Sequence, residues 1–181
     1  MDIHSTIYDA FSKQVLKSPD NIAIKANGKL ISYQQLSMLV NATADKIYSL
    51  LPQKRNNLIG ILMDHSVEMI TCILAILKSG NGFIPIETFF PKERISNMLS
   101  DSKATLIICQ DKYYGLIDTT FPSITLQKLN AVTNISPLQV ARKHNDTAYV
   151  LYTSGTTGKP KGVMVTNKNV LHYVNAFHKE F

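Results

Sequence analysis

The residues Thr153-Ser154-Gly155-Thr156-Thr157-Gly158-Lys159-Pro160-Lys161-Gly162 bring three kinds of group into one short run. The glycines Gly155, Gly158 and Gly162 free the backbone to turn its N–H groups towards an anion and leave room for it to approach. The hydroxyls of Thr153, Ser154, Thr156 and Thr157 can donate to phosphate oxygens. Lys159 and Lys161 can offset the charge of a polyphosphate as mobile point charges. The composition does not choose between the two lysines. A plain flexible linker needs glycine and small hydroxyl residues but has no use for all three features together.

The spacing separates this run from better-known phosphate loops. A Walker A loop needs four residues between its first glycine and its Gly-Lys, followed by Ser or Thr. Here only Thr156 and Thr157 separate the glycines, and Pro160 follows Lys159. Tyr149 to Tyr152 before the run and Val163 to Thr166 after it both read as strands. The run therefore joins two strands, and a helix dipole contributes little. Ser154 is not a nucleophile elbow, because Tyr152 stands where that motif needs glycine. Gly80-Asn81-Gly82 begins like a dinucleotide fingerprint. Pro85 fills its third glycine position, however, and the order is helix then strand, so this segment reads as a turn.

Other chemistry-bearing residues carry less. Asp64, Glu68, Glu87 and Glu93 could suggest paired carboxylates, but Glu68 and Glu93 fall in first helical turns, where acidic groups favour the dipole. His4, His65, His144, His172 and His178 show no metal-ligand spacing, so no metal site is expected. Cys72 and Cys109 stand alone, as structural thiols of a reduced, cytoplasmic protein would. The net charge of +6 comes with no basic block and no interleaved aromatics, which argues against nucleic acid as a partner. Met69 to Leu77 is the longest apolar stretch and is too short to span a bilayer. Residues 1–20 lack the pattern of a secretory leader, and no membrane association is expected.

The elements that must hold the run are legible as an alternation of helix and strand. Ile7, Phe11, Val15 and Leu16 recur at helical spacing, up to Ser18-Pro19-Asp20. Ile22 to Ile24 and Lys29 to Ser32 flank Ala26-Asn27-Gly28, a hairpin turn. Ser32 and Gln35 form a capping box for a helix with Leu36, Leu39, Val40, Ile47, Leu50 and Leu51 as its apolar face. Leu58 to Met63, Phe83 to Ile86 and Thr105 to Cys109 read as short apolar strands. Between them lie helices over Met69 to Lys78, ended by Gly80, and after Pro91, with Ile95, Met98 and Leu99 buried. Residues 111–146 hold a short helix, a strand near Ile124 to Leu126, and a loop. This alternation predicts an α/β fold: a mainly parallel sheet with flanking helices. Ligands in such folds bind beyond the carboxyl ends of the strands, where the Thr153–Gly162 run begins.

Three segments together resemble the adenylate-forming, AMP-binding enzymes, and most closely the amino-acid adenylation domains of nonribosomal peptide synthetases. Ile31-Ser32-Tyr33-Gln34-Gln35-Leu36 resembles the first core motif of that family. Leu77-Lys78-Ser79-Gly80-Asn81-Gly82-Phe83-Ile84-Pro85-Ile86-Glu87 resembles the second. The Thr153–Gly162 run with its flanks resembles the third and is the most specific. Pro91-x-Glu93-Arg94-Ile95 also follows as in the family. The resemblance implies a ligase that uses ATP with Mg²⁺ to form an aminoacyl-adenylate and pyrophosphate, then loads a phosphopantetheine thiol of a carrier protein or domain. It implies triphosphate contacts from Thr153, Ser154, Gly155, Thr156, Thr157, Gly158, Lys159, Lys161 and Gly162.

Two positions depart from the family pattern. Glu87 stands where Asp is usual. Asn167 replaces a common histidine and suits the N-cap of a helix starting at Lys168. The resemblance further implies that residues 1–181 are the N-terminal part of a large subdomain. The adenine and ribose motifs, the amino-acid selecting residues and the catalytic lysine are then expected beyond Phe181, so no catalytic residue is assigned within this chain. Such a fragment is expected to be inactive alone, and to self-associate or require the remainder as a second chain. The alternatives are a non-catalytic binding or assembly module, half of a split enzyme, a stand-alone carrier-protein ligase, or an acyl-CoA synthetase.

Overall fold

The computed structural model describes residues 5–26, 28–53, 55–133, 138, 140–153 and 161–180, with side chains in that set as far as residue 176. Helix α1 (Ile7–Lys17) starts at a capping box. The Thr6 hydroxyl accepts from the Asp9 N–H at 3.2 Å, and the Asp9 carboxylate accepts from the Thr6 N–H at 2.9 Å. Two orphan N–H groups of the first turn are satisfied in this way. Only Tyr8 of this helix is fully buried, and Leu16 is 83% exposed. Leu16 adjoins Val15 in sequence, which turns it about 100° away from the packed stripe.

Asp9 also accepts from Arg142 Nη2 at 3.1 Å. Burial pushes its carboxyl up, but the bonds from Thr6 and the Arg142 guanidinium outweigh that and hold it below its ordinary value. The folded chain therefore binds fewer protons here than the unfolded chain as the pH approaches the carboxylate range. The stabilisation is complete above the unfolded value of about 4 and is lost as pH falls through the lower folded value. Urea midpoints of the wild type and Asp9→Asn should differ at about pH 6, and the gap should close towards about pH 3. A gap that acid leaves unchanged would show that the Asp9 charge contributes nothing.

Strands β1 (Ile22–Ala26) and β2 (Lys29–Ser32) form a separate antiparallel hairpin, as the sequence predicts. Asn27 of its turn lies outside the described residues, and Gly28 has φ +75°. The predicted capping box opens α2 (Tyr33–Leu50): Ser32 Oγ accepts from Gln35 N–H at 3.2 Å, and Gln35 Oε1 from Ser32 N–H at 2.9 Å. Its buried face is Leu36, Val40, Ala44, Ile47 and Tyr48, continued by Leu51. Leu39 and Leu50, expected on that face, are 44% and 40% exposed. The i, i+4 rows from Leu36 and Val40 run through Ala44 and Tyr48, so Leu39 and Leu50 flank the stripe instead of joining it.

The main sheet has six strands in the order β6-β5-β3-β4-β7-β8. They are β3 (Leu58–Leu62), β4 (Gly82–Ile86), β5 (Leu106–Cys109), β6 (Ser123–Thr125), β7 (Thr147–Thr153) and β8 (Lys161–Thr166). All pairings are parallel except β7 with β8. The predicted α/β class and mainly parallel sheet are therefore observed. The remaining helices among the described residues are α3 (Val67–Lys78), α4 (Lys92–Ser102), α5 (Leu126–Asn130) and α6 (Asn167–Glu180), with a 3-10 turn at Asp111–Leu116.

Two apolar layers sandwich this sheet. Ile59 and Ile61 of β3 and Leu106 and Ile108 of β5 pack with α2 and α3. Leu62, Ile107, Cys109, Ile84 and Ile86 pack with Ile95, Met98 and Leu99 of α4. Successive residues of one strand serve opposite layers, which is the period-2 rule applied to a sheet buried on both faces. The predicted buried face of α4 is correct in all three residues. Pro91 stands at the N-cap, one position ahead of the first turn, with Glu93 within that turn.

Candidate functional site

Strand β7 runs parallel to β4, so its carboxyl end, Thr153, lies on the same edge of the sheet as the ends of β3, β4 and β5. The chain returns as β8, antiparallel, with Thr153 opposite Lys161 and Tyr152 opposite Gly162. Thr153, Lys161 and Gly162 are therefore strand residues at the mouth of a hairpin, and all three are exposed. Ser154, Gly155, Thr156, Thr157, Gly158, Lys159 and Pro160 lie outside the described residues. The two predicted flanking strands are present, each longer than expected from sequence.

The base of this hairpin is anchored by a side chain that sequence reasoning misses. The Tyr152 hydroxyl donates to Asp101 Oδ2, near the end of α4, at 2.7 Å. Burial, then the bond to Asp101 and its negative charge, push the Tyr152 phenol up to about 12. It is therefore a neutral donor at physiological pH. A Cβ on Gly162 would lie 3.0 Å from Tyr152 Cζ and 3.1 Å from Val150 Cγ1. The sequence reading ends the run at Gly162 and starts the strand at Val163; the structure places Gly162 inside β8, where a strand glycine marks close approach by another group.

The second motif segment builds the turn from α3 into β4. Gly80 has φ +72°, and a Cβ there would lie 2.5 Å from Val140 Cγ1. Both facts require glycine. Its N–H donates to Leu77 O, and that of Asn81 to Ile76 O, closing the end of α3. Asn81 is buried at the centre of a polar network. Its Oδ1 accepts from the Asn57 N–H at 2.9 Å and from Asn57 Nδ2 at 2.8 Å. Its Nδ2 donates to Ser79 O and Oγ, both at 2.9 Å. Reading a turn here is correct for Gly80 and Asn81, while Gly82 is already the first residue of β4.

At the same sheet edge as Thr153, Asp64 follows β3 and accepts from Lys112 Nζ and, at 2.6 Å, from the Tyr113 hydroxyl. Those bonds, Lys112 first, hold the Asp64 carboxyl below its usual range. Its partners are thus a cation and a phenol, and among the described residues no second carboxylate bonds to it. Glu87 is exposed just past β4, and the Arg94 guanidinium lies 3.9 Å over the Phe90 ring. Cys72 and Cys109 are buried, and burial first pushes their thiols up to about 12 and about 11. Neither is a nucleophile at neutral pH.

Asn167 does not cap α6. The cap is Thr166, whose Oγ1 accepts from Asn169 N–H at 3.2 Å, while Asn169 Oδ1 accepts from Thr166 N–H at 3.0 Å. Asn167 is instead buried, and it accepts from Ile7 N–H at 3.1 Å and donates to Asp146 O at 3.2 Å. It ties α6 to the start of α1 and to the loop before β7. Among the described residues no group of three or more His, Cys, Asp or Glu could hold a metal ion. No helix among them is long and apolar enough to cross a membrane.

The model of the AMP-binding enzyme family matches residues 11–181. The chain belongs to the AMP-binding enzyme family. Among curated relatives, bacitracin synthase 2 of Bacillus licheniformis is 37% identical over 177 residues, a match covering 96% of this chain and 7% of the relative. Gramicidin S synthase 2 of Brevibacillus brevis is 38% identical over 172 residues, covering 93% and 4%. This AMP-binding chain therefore spans less than a tenth of the length of either relative. A crystal structure of the nonribosomal peptide synthetase FmoA3 shares the fold with a TM-score of 0.86 at 23% identity, covering 98% of this chain and 19% of that one. The N-terminal subdomain of Klebsiella oxytoca NpsA, in complex with anthranilyl-AMSN, gives 0.81 at 24% identity, covering 91% and 42%.

Proposed function

We propose that this AMP-binding chain is part of an ATP-dependent ligase that activates an amino acid. The observation that carries the reading is the hairpin mouth. Thr153 and Lys161 face one another at the carboxyl edge of a parallel sheet, at the two ends of a run rich in glycine, hydroxyls and lysine. Family membership and the peptide-synthetase relatives support it.

In the proposed reaction a carboxylate oxygen of the amino acid attacks the α-phosphorus of ATP. A P–O bond forms there while the bond to the β-phosphate oxygen breaks, releasing pyrophosphate. A phosphopantetheine thiolate on a carrier protein or domain then attacks the acyl carbon, and AMP leaves. Mg²⁺ enters with the triphosphate as part of the substrate. The chain's own task is to hold the β- and γ-phosphates while charge moves onto them. Thr153, Ser154, Thr156 and Thr157 donate hydroxyl hydrogens to them. Gly155, Gly158 and Gly162 give the backbone its shape, and Lys159 and Lys161 supply positive charge. The setting is cytoplasmic, where ATP is plentiful.

Residues 1–181 are, on this reading, the N-terminal part of the large subdomain. The match covers 42% of the NpsA N-terminal subdomain, which supports this reading. On the edge hairpin and α6, Leu151, Val163, Met164 and Tyr173 are exposed, Met164 at 69%. Apolar groups so placed suit covering by more polypeptide. The same exposure favours, as a second reading, an assembly module or half of a split enzyme completed by another chain.

Amino-acid-dependent exchange of pyrophosphate into ATP tests the function. Full-length protein should show it, and residues 1–181 alone should not. Absence from the full-length protein across all proteinogenic amino acids would sink the ligase reading. Exchange by residues 1–181 alone would sink the division of labour.

A further inference from the structure

We propose that Tyr152 is a positioning residue for the triphosphate site, acting through Gly162 and Asp101; this rests on the ligase reading above. Three observations converge on it. Tyr152 is the last residue before Thr153, and Gly162 the first after Lys161, so the pair sits one step below the hairpin mouth. The Tyr152 side chain passes over Gly162, where a Cβ would lie 3.0 Å from Cζ and 3.2 Å from the hydroxyl oxygen. Its hydroxyl then reaches α4 and donates to Asp101 at 2.7 Å, across 51 positions of sequence.

Strand β8 is held in the sheet by its pairing with β7, from Lys161 to Thr166. It lies at the sheet edge and pairs only with β7 among the described strands. Among the described residues no strand pairs with its outer side, so its twist is fixed from the β7 side and by what packs on its faces. The Tyr152 ring therefore acts as a bar across the ribbon. It connects β7 to a helix packed on the sheet and presses on β8 where a side chain would otherwise stand. The direction in which Thr153 and Lys161 leave the sheet follows from that bar. Asp101 is an acceptor that holds the bar's far end. Neither Tyr152 nor Asp101 needs to touch nucleotide.

The test uses the full-length protein and two readouts. One is kcat and KM for MgATP in amino-acid-dependent pyrophosphate exchange. The other is the Kd for the fluorescent nucleotide TNP-ATP, which requires neither amino acid nor turnover. Tyr152→Phe keeps the ring and removes the bond to Asp101. It should raise KM for MgATP and the TNP-ATP Kd by about 3–10-fold, with kcat and the amino-acid KM within about twofold, since small misplacements of a binding group carry costs of this order. Asp101→Asn retains an acceptor and should shift both values less, in the same direction. Gly162→Ala forces the ring aside and should raise both by about tenfold or more. Adding Gly162→Ala to Tyr152→Ala should cost less than Gly162→Ala costs in the wild type, because the ring is gone and only the 3.1 Å approach to Val150 Cγ1 remains.

Values for Tyr152→Phe and Gly162→Ala within about twofold of wild type would overturn the proposal. So would a lowered melting temperature with unchanged KM and Kd, which assigns Tyr152 to stability alone. Wild-type protein that neither binds TNP-ATP nor exchanges pyrophosphate defeats the parent reading, and the positioning role with it.

Discussion

Lys161→Ala in the full-length protein is expected to lower kcat/KM for MgATP by about 10²-fold in pyrophosphate exchange. The argument starts from charge. In the proposed step the β- and γ-phosphates leave with added negative charge, so a cation held near them stabilises the transition state more than the ground state. Lys161 is anchored at its backbone by pairing with Thr153, while its side chain is exposed at the mouth of the hairpin. That arrangement places one end of the lysine firmly and leaves its ammonium free to follow the phosphates.

Because the side chain is exposed, its removal should leave stability within about 0.5 kcal/mol of wild type, so lost activity will not reflect unfolding. Lys161→Arg keeps the charge but changes its shape and should recover only part of the activity. Steady-state kinetics across MgATP concentrations decide the matter. If kcat and KM for MgATP both match wild type in Lys161→Ala, the charge role belongs elsewhere.

Asn81→Ala should be the most damaging single change to stability outside the apolar layers, costing about 2–4 kcal/mol. Asn81 is 2% exposed, and its neighbours Asn57 and Ser79 are 5% and 0% exposed. Truncation removes all four of its side-chain bonds at once. The Asn57 side chain keeps a bond to Gln53 O at 2.8 Å. The Asn57 backbone N–H loses the acceptor Asn81 supplies, and a buried donor without an acceptor carries most of the penalty. Asn81→Asp restores the acceptor but removes both donors and buries a charge, so it should be no better.

Urea unfolding of both variants measures the effect, and a loss below about 0.5 kcal/mol would show that the network relaxes without cost. The position matters for function as well. Asn81 joins the entry to β3, the end of α3 and the entry to β4, and β4 is the parallel neighbour of β7. A loosened turn here would be transmitted to the strand that carries Thr153.

Much of this architecture is legible in the amino-acid sequence. The Ser32/Gln35 capping box, the buried triad Ile95, Met98 and Leu99, the Gly80 turn and the strands β3, β4 and β5 all follow from rules that act over a few residues. Local rules fail where neighbours in space decide. Leu39 and Leu50 are hydrophobic and close to helical phase, yet the packed stripe passes through Ala44 and Tyr48. Asn167 has the right residue type for a cap, yet Thr166 caps and Asn167 binds Ile7, 160 positions away.

The sequence by itself determined which groups the run from Thr153 to Gly162 carries, its distinction from a Walker A loop and the strands on either side of it. Those depend on residue types and spacings along one short stretch, which no folding partner can change. Tertiary structure alone decided the strand order, the antiparallel edge at β8, and the Tyr152–Asp101 bond that anchors the hairpin. The strand order and the Tyr152–Asp101 bond join segments far apart in the chain, and β8 is the edge because no other described strand pairs with it. Such pairings are set by the burial of whole faces and by which buried donors find acceptors, and those terms exist only once the chain has closed on itself.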